Sequence, residues 1–237
     1  WIILSGIILL IVISHFFGEN IQKNLLKNIN ENLQSELHVK NMDISLIENF
    51  PSATLKLMEV YMQEAEGFQM DTLIYAKEIY TEVRLLDIIR KKFEIQRIVI
   101  LNGFLNLKYN NLKEKNFDIW KKKEGSSNLN VGKVIFLNSN VSYTNSINNT
   151  IINIFPEKLL LTIQNDNYTN LEIDGKLLSE QLTIYNKNYA DQKKIYLDGG
   201  ISFKKDSLFI RKSELNIEDV TISITGGVYH KNITDLY

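Results

Sequence analysis

The sequence predicts a mainly β fold, in which an N-terminal transmembrane helix and an amphipathic helix precede a long, twisted antiparallel sheet curled into an apolar groove. Three observations predict this arrangement. Residues 1–17 are apolar and contain no Asp, Glu, Lys or Arg. Residues 21–37 repeat apolar side chains at helical spacing, and after residue 38 apolar and polar residues alternate with the period of a β-strand.

Residues 1–17 are predicted to anchor the chain in a membrane. Seventeen helical residues rise about 26 Å, close to the ~30 Å hydrocarbon core of a bilayer. The rival interpretation is a secretory signal peptide, but the residues after position 15 lack a small-residue cleavage pattern. The chain does not begin with Met, which predicts that further residues precede it. The anchor side chains are Ile2, Ile3, Leu4, Ile7, Ile8, Leu9, Leu10, Ile11, Val12, Ile13, Phe16 and Phe17.

The charges that follow the anchor predict its orientation. Residues 18–50 contain three Lys and five Asp or Glu, so no positive excess follows the apolar run. By the positive-inside rule, the body of the protein is predicted to lie outside the cytoplasm. A single-pass protein with an extracytoplasmic body is therefore expected.

Residues 18–38 are predicted to form an amphipathic helix. Their apolar residues recur at spacings of three, four and eight, which places them on one helical face. These residues are Ile21, Leu25, Leu26, Ile29, Leu33 and Leu37. The helix is expected to continue from the membrane span or to hinge against it.

Residues 39–237 are predicted to form one β domain of about eleven strands. Turn signals such as Asn102-Gly103, Asp198-Gly199-Gly200 and Gly226-Gly227 separate the strands, and a short helix is predicted at residues 86–92. No linker rich in Pro, Gly or Ser divides the region. The predicted strands are residues 39–46, 54–62, 79–85, 94–101, 105–109, 133–143, 159–163, 171–178, 194–203, 207–215 and 220–226.

Composition excludes several functional classes. Lys+Arg 27 against Asp+Glu 28 gives a net charge of -1, which argues against a nucleic-acid partner. The absence of Cys excludes thiol catalysis and cysteine-ligated metals. His15, His38 and His230 are too scattered to predict a catalytic or metal site, and no glycine-rich phosphate loop is present. The chain is therefore predicted not to be an enzyme and to need no metal or cofactor.

Alternation along the strands predicts one continuous apolar face. Such a face must pack against a partner, close on itself or cover acyl chains. The plain alternative to a lipid groove is the sealed core of a β-sandwich or closed barrel. The residues predicted to line the groove are Leu55, Leu57, Ile79, Val83, Leu85, Leu105, Leu107, Leu159, Leu161, Ile163, Ile173, Ile222 and Ile224.

Several short motifs occur in a characteristic order behind the anchor. They are ISL at 44–46 with NFP at 49–51, LKLMEV at 55–60, DTLIYAKEI at 71–79, LLDII at 85–89, IQRIVI at 95–100, NGFLNL at 102–107 and NFDIW at 116–120. In this order the stretch 44–122 resembles the AsmA family of bacterial envelope proteins. Family members are commonly longer, so this chain is expected to be the N-terminal portion of a longer protein.

The resemblance implies a bridge-like lipid carrier in the bacterial inner membrane, with its body in the periplasm. Its implied cargo is phospholipid moving toward the outer membrane, and its implied partners are the inner membrane and an outer-membrane or envelope protein. The alternative is a scaffold that transports nothing and binds envelope proteins through its sheet edge. Co-purified lipid would favour the carrier, whereas co-purified polypeptide without lipid would favour the scaffold.

Overall fold

The structure, a computed structural model, describes residues 23, 26–27, 29–45, 52–84, 94–121, 130–165, 169–204 and 207–229. These residues are mainly β, as the sequence predicts. The strands are β1 (Leu37–Ser45), β2 (Ser52–Gln63), β3 (Thr72–Arg84), β4 (Glu94–Tyr109), β5 (Asn130–Leu137), β6 (Asn140–Asn145), β7 (Thr150–Asn165), β8 (Thr169–Ile184), β9 (Lys187–Asn188), β10 (Lys193–Lys204), β11 (Ser207–Ile217) and β12 (Val220–Tyr229).

All twelve strands belong to one sheet. Ten of them follow each other in the order β1-β2-β3-β4-β5-β7-β8-β10-β11-β12. Strand β6 continues the line of β5 between β4 and β7, and the short β9 pairs with β8. No pairing joins β1 to β12 among the described strands, so this part of the chain forms an open sheet.

The prediction of an entirely antiparallel sheet is wrong at one place. Strand β4 runs parallel to β5 and β6, whereas every other strand pair in the described part of the chain is antiparallel. A parallel neighbour requires a crossover connection, and residues 110–129 supply the twenty residues that return the chain to the start of β5. Turn signals mark where a strand ends, but they do not reveal the direction of its neighbour.

Two predicted strand boundaries also differ. Asn102-Gly103 does not end a strand, because β4 runs through both residues. The predicted strand at 133–143 is instead divided into β5 and β6 at Asn138 and Ser139. Asn102 and Asn138 both have positive φ, 51° and 46°, and Asn tolerates this conformation within a bulge as well as in a turn.

In the strands from β1 to β7, the alternation of side chains between the two faces is interrupted along one line across the sheet. Residues three apart, rather than two apart, face the same side there. Leu57 and Val60 are three residues apart yet lie in one buried cluster, because Glu59 between them has a φ of 51°. Asn102 and Asn138 occupy the same level of the neighbouring strands. We call this line the seam, and it consists of Lys40, Glu59, Lys77, Asn102, Asn138 and Glu157.

The helix before β1 ends earlier than predicted. The described residues between Lys23 and Asn32 are helical, and Leu37 already belongs to β1. The helix therefore ends before the predicted limit at residue 38, because Leu37 pairs with Met62 of β2. The predicted anchor at 1–17 and the predicted helix at 86–92 lie outside the described residues. Within the described residues, no helix is long and apolar enough to span a bilayer.

Candidate functional site

A row of apolar side chains crosses the sheet from one edge to the other. Residues that directly oppose each other in neighbouring strands project from the same face of a sheet. Following the register from β1 to β12 therefore gives one row, which we call the central row. It consists of Met42, Leu57, Ile79, Ile100, Phe136, Leu159, Gly175, Leu197, Leu215 and Ile222.

Gly175 is the one member of the central row without a side chain. A Cβ at this position would lie 2.8 Å from Leu159 Cδ1 and 2.8 Å from the carbonyl oxygen of Lys158. The Leu159 side chain thus fills the space above Gly175. The apolar surface therefore continues across β8 even though the row has a glycine there.

Further rows extend the same face on both sides of the central row. Toward one end of the strands the next row is Ile44, Leu55, Thr81, Ile98, Val134, Leu161 and Ile173. Across the seam, a row on the other side is Leu37, Met62, Ile74, Leu105, Val141 and Ile154. Of all the residues in these three rows, Thr81 is the one that carries a polar group. We call the surface formed by the three rows the apolar face.

The side chains of the central row become more exposed from β5 and β7 toward β12. Phe136 and Leu159 are 5% and 6% exposed, whereas Ile222 on β12 is 40% exposed. At the corner near β1, Leu33, Phe117 and Ile119 pack onto the face in a cluster with Met62 and Leu73. The face is therefore well covered near β2 to β7 and open to solvent at β12.

The opposite face carries ion pairs. Lys56 Nζ lies 3.1 Å from Glu78 Oε1, and Arg211 lies 3.2 Å from Glu172. Arg97 pairs with Glu82 in the same way. These residues alternate in sequence with members of the apolar face, so the two surfaces of the sheet differ sharply in polarity.

The charges on this polar face support each other. Hydrogen bonds with Tyr80 and then with Glu78 raise the pKa of Lys56 above its usual value of 10.5. The same contacts, from Tyr80 and then Lys56, lower the pKa of Glu78 below 4.5. On β10, the charge of Asp174 raises the pKa of Tyr196 above 10.0. These groups therefore keep their ordinary protonation states at neutral pH.

A buried polar cluster lies at the end of the sheet where β1 begins and where β2 and β4 end. Glu64 is 4% exposed and its Oε1 accepts from Lys108 Nζ at 2.7 Å and from Asn116 Nδ2 at 2.9 Å. Burial lowers the pKa of Lys108, but its bonds to Glu64 and Asp71 outweigh this effect, so that pKa is raised overall. The fully buried Asn116 also donates to the carbonyl oxygen of Asn106 and accepts from Lys108 N. This cluster fixes residues 110–121 to β2 and β4.

The structure places the predicted groove residues together. Leu85 and the anchor side chains lie outside the described residues, and the other twelve groove candidates share the apolar face. Leu57, Ile79, Leu159 and Ile222 belong to the central row itself. The others lie in the flanking rows or further along the same side of their strands, at Leu55, Val83, Leu105, Leu107, Leu161, Ile163, Ile173 and Ile224. Their binding of lipid stays a prediction.

Several members of the face were missed in the sequence. Met42, Ile100, Phe136, Leu197 and Leu215 stand in the central row, but they were not among the predicted groove residues. Each lies in a predicted strand, so their alternation with polar neighbours was the available signal. What the sequence could not supply was the register, which aligns them with Leu57 and Leu159.

No protein-family model matches the chain, and no curated protein sequence matches it. Among the described residues, no group of three or more His, Asp or Glu is arranged to hold a metal ion. His38 is the one described histidine, and its exposed ring faces Glu36 and Tyr61. The described chain therefore offers one extended feature for function, the apolar face.

Proposed function

We propose that this protein is a membrane-anchored, non-enzymatic lipid carrier, similar to the AsmA family, which holds phospholipid acyl chains along its apolar face. The observation that carries the proposal is the central row, in which nine of ten consecutive strands contribute an apolar side chain and the tenth contributes Gly175. In this proposal the sheet curls into a groove behind an N-terminal membrane helix, and the body lies in the bacterial periplasm.

The energetics of such a face suit a mobile lipid. Each buried methylene of an acyl chain contributes ~0.8 kcal/mol, so a row of aliphatic side chains holds a lipid tail without a specific pocket. Ten strands at about 4.8 Å span roughly 45 Å. Because the rows contain almost no polar side chain, a tail that moves from one strand to the next meets apolar side chains throughout.

The polarity of the two faces supports the same proposal. Lys56, Glu78 and Arg211 are held in ion pairs on the opposite surface, where water covers them. The apolar face becomes increasingly exposed toward β12, where Ile224 is 43% exposed. An acyl chain there would remove from water a surface that soluble proteins seldom leave open.

Photocrosslinking from neighbouring residues tests the proposal. A benzophenone amino acid is placed at Ile222 or at Ser223, which are adjacent on β12, project from opposite faces and are both exposed. The full chain is expressed in bacteria, irradiated and analysed by intact mass spectrometry. Phospholipid adducts are expected at Ile222 and not at Ser223. Equal adducts at both sites, or none at either, would refute a face-specific lipid groove.

One observation favours the second candidate, a scaffold that binds envelope proteins by strand addition. Strand β12 (Val220–Tyr229) contains no charged residue and has one paired neighbour, β11, among the described strands. Edge strands of soluble proteins usually carry charges or Pro that prevent such pairing. Crosslinking of polypeptide rather than lipid from Ile222 would support this candidate over the carrier.

A further inference from the structure

Two loops lie side by side at the end of the sheet where β1 begins and where β2 and β4 end. One consists of residues 64–71, which connect β2 to β3, and the other consists of residues 110–121, which follow β4. We call them the basal loops. Ala65 N donates to the Asn116 carbonyl oxygen at 2.8 Å, so the two loops are joined directly.

The basal loops are held firmly by polar contacts. Lys108 binds both Glu64 and Asp71, at 2.7 and 2.9 Å. Within the second loop, Asn110 Oδ1 accepts from the backbone N–H groups of Leu112 and Glu114, each at 2.9 Å. The positions of the outward side chains are therefore set by the fold.

Large apolar side chains project from these loops into solvent. Leu112 and Met70 are 78% and 72% exposed, the highest values among the large hydrophobic residues that the structure describes. Trp120, at the end of the second loop, is 45% exposed. Exposed apolar side chains grouped on fixed loops indicate a surface that is covered by a partner.

The helix before β1 connects these loops to the apolar N-terminal segment. Gln34 N donates to the Ile119 carbonyl oxygen at 2.7 Å, and Leu33 forms a β-bridge with Trp120. Fifteen residues lie between Phe17 and Leu33, and a helix over this stretch would rise about 24 Å. The basal loops are thus within reach of any membrane that holds residues 1–17.

The charges of the basal loops fit a zwitterionic surface. Glu64 and Asp71 are paired with Lys108 of β4. The other charges of the loops are Lys113, Lys115 and Lys121 against Glu66, Glu114 and Asp118, so neither sign dominates among them. Attraction to anionic lipid would require a cluster of basic residues. Trp, by contrast, is enriched where a protein meets the interfacial region of a bilayer.

We infer that the basal loops rest in the interfacial region of a phospholipid bilayer, with Leu112, Met70 and Trp120 inserted among the lipids. This inference rests on the membrane anchor of the proposed function. It gives the carrier a second membrane contact beside the helix. That contact fixes the end of the sheet nearest β1 to β4 against the bilayer.

Trp120 itself supplies the probe, because the chain contains two Trp and the other is Trp1. The full-length W1F variant is reconstituted into phosphatidylcholine vesicles that contain lipids brominated near the headgroup. Quenching of Trp120 by the brominated lipid and protection from aqueous acrylamide are expected, with little change in high salt. Full acrylamide quenching without bromolipid quenching would overturn the inference.

A matched control uses Phe209, which is 41% exposed near the start of β11, at the end of the strands opposite the basal loops. Phe209→Trp in a chain with both native Trp replaced by Phe is expected to stay accessible to acrylamide. Bromolipid quenching at this position equal to that at Trp120 would show unspecific adsorption and refute the assigned surface.

Two further measurements separate this inference from the proposed function. Phospholipid that co-purifies with the W1F variant in detergent, measured by mass spectrometry, reports the proposed carrier function independently of Trp120. Quenching of Trp120 by bromolipid in detergent as strong as that in vesicles would count against bilayer contact. Resistance of the vesicle-bound protein to extraction at alkaline pH shows whether residues 1–17 anchor it in the bilayer. If the chain resists extraction while Trp120 remains exposed to water, the anchor is supported and the inference about the loops is refuted.

Discussion

Asn116 and Glu64 are 52 residues apart in the chain and are joined by a hydrogen bond of 2.9 Å between Nδ2 and Oε1. Both side chains are buried, and Lys108 completes the cluster. This bond links the loop after β4 to the end of β2. The arrangement explains how residues 110–121, which contain no named strand, are fixed beside the apolar face.

Asn116→Ala is expected to destabilise the protein by about 2 kcal/mol, because it leaves the backbone N–H of Lys108 without its partner and removes one of the two contacts of the buried Glu64 Oε1. The free energy of unfolding in urea measures the effect. Asn188→Ala, at an exposed residue of β9, serves as the control and is expected to change stability by less than about 0.5 kcal/mol. Equal losses in both variants would contradict a special role for Asn116.

Gly103 is predicted to tolerate no side chain. A Cβ at this position would lie 2.2 Å from the carbonyl oxygen of Tyr75 and 2.8 Å from Ala76 Cα, both in the neighbouring strand β3. Gly103→Ala is therefore expected to cost about 1–3 kcal/mol through overpacking. Thermal unfolding of the full chain in detergent provides the measurement.

Gly226→Ala is the matched control for Gly103→Ala. Both glycines lie within strands, but a Cβ at Gly226 meets no atom within 4 Å. Its melting temperature is expected to remain near that of the unchanged protein. A larger loss at Gly226 than at Gly103 would show that the close approach of β3 and β4 is misplaced.

The ion pair of Lys56 and Glu78 predicts opposite pH effects at the two ends of the stability curve. The pKa of Glu78 is lowered in the folded state, so its contribution is present above about pH 4.5 and is lost as the pH falls through the lowered value. The pKa of Lys56 is raised, so its contribution is present below about pH 10.5 and is lost as the pH rises through the raised value.

Two variants separate these contributions. Glu78→Gln is expected to flatten the acid side of a plot of unfolding free energy against pH, and Lys56→Gln is expected to flatten the alkaline side. In each variant the opposite side of the curve is the control and is expected to flatten less, because Tyr80 makes the largest contribution to both pKa shifts and is unchanged. If either variant left its own side of the curve unchanged, the assigned pKa shift would be wrong.

Alternation within single strands predicted the mainly β fold and the side of each strand that is apolar. Leu159 and Leu161 illustrate this, because their spacing of two is preserved in β7. The parallel pairing of β4 and β5 left no comparable pattern, since direction depends on the path of residues 110–129 rather than on either strand.

The buried polar cluster was also beyond sequence reasoning. Glu64 and Asn116 are common loop residues, and neither position lies in a periodic pattern that predicts burial. Their burial results from the crossover that brings residues 110–121 against the end of β2. The same crossover places Leu112 and Trp120 in an exposed loop at this end of the sheet, which the sequence alone did not indicate.

The seam gives the chain an unusual sensitivity to small deletions. Removing Asn102 would exchange the two faces for everything that follows it in β4, so that Leu105 and Leu107 would point to the polar side. The strands from β1 to β7 keep their alternation in step at the seam, so a shift by one residue in one strand cannot be absorbed locally. Gains and losses of residues during the evolution of this sheet are therefore expected at its turns or in all of these strands at once.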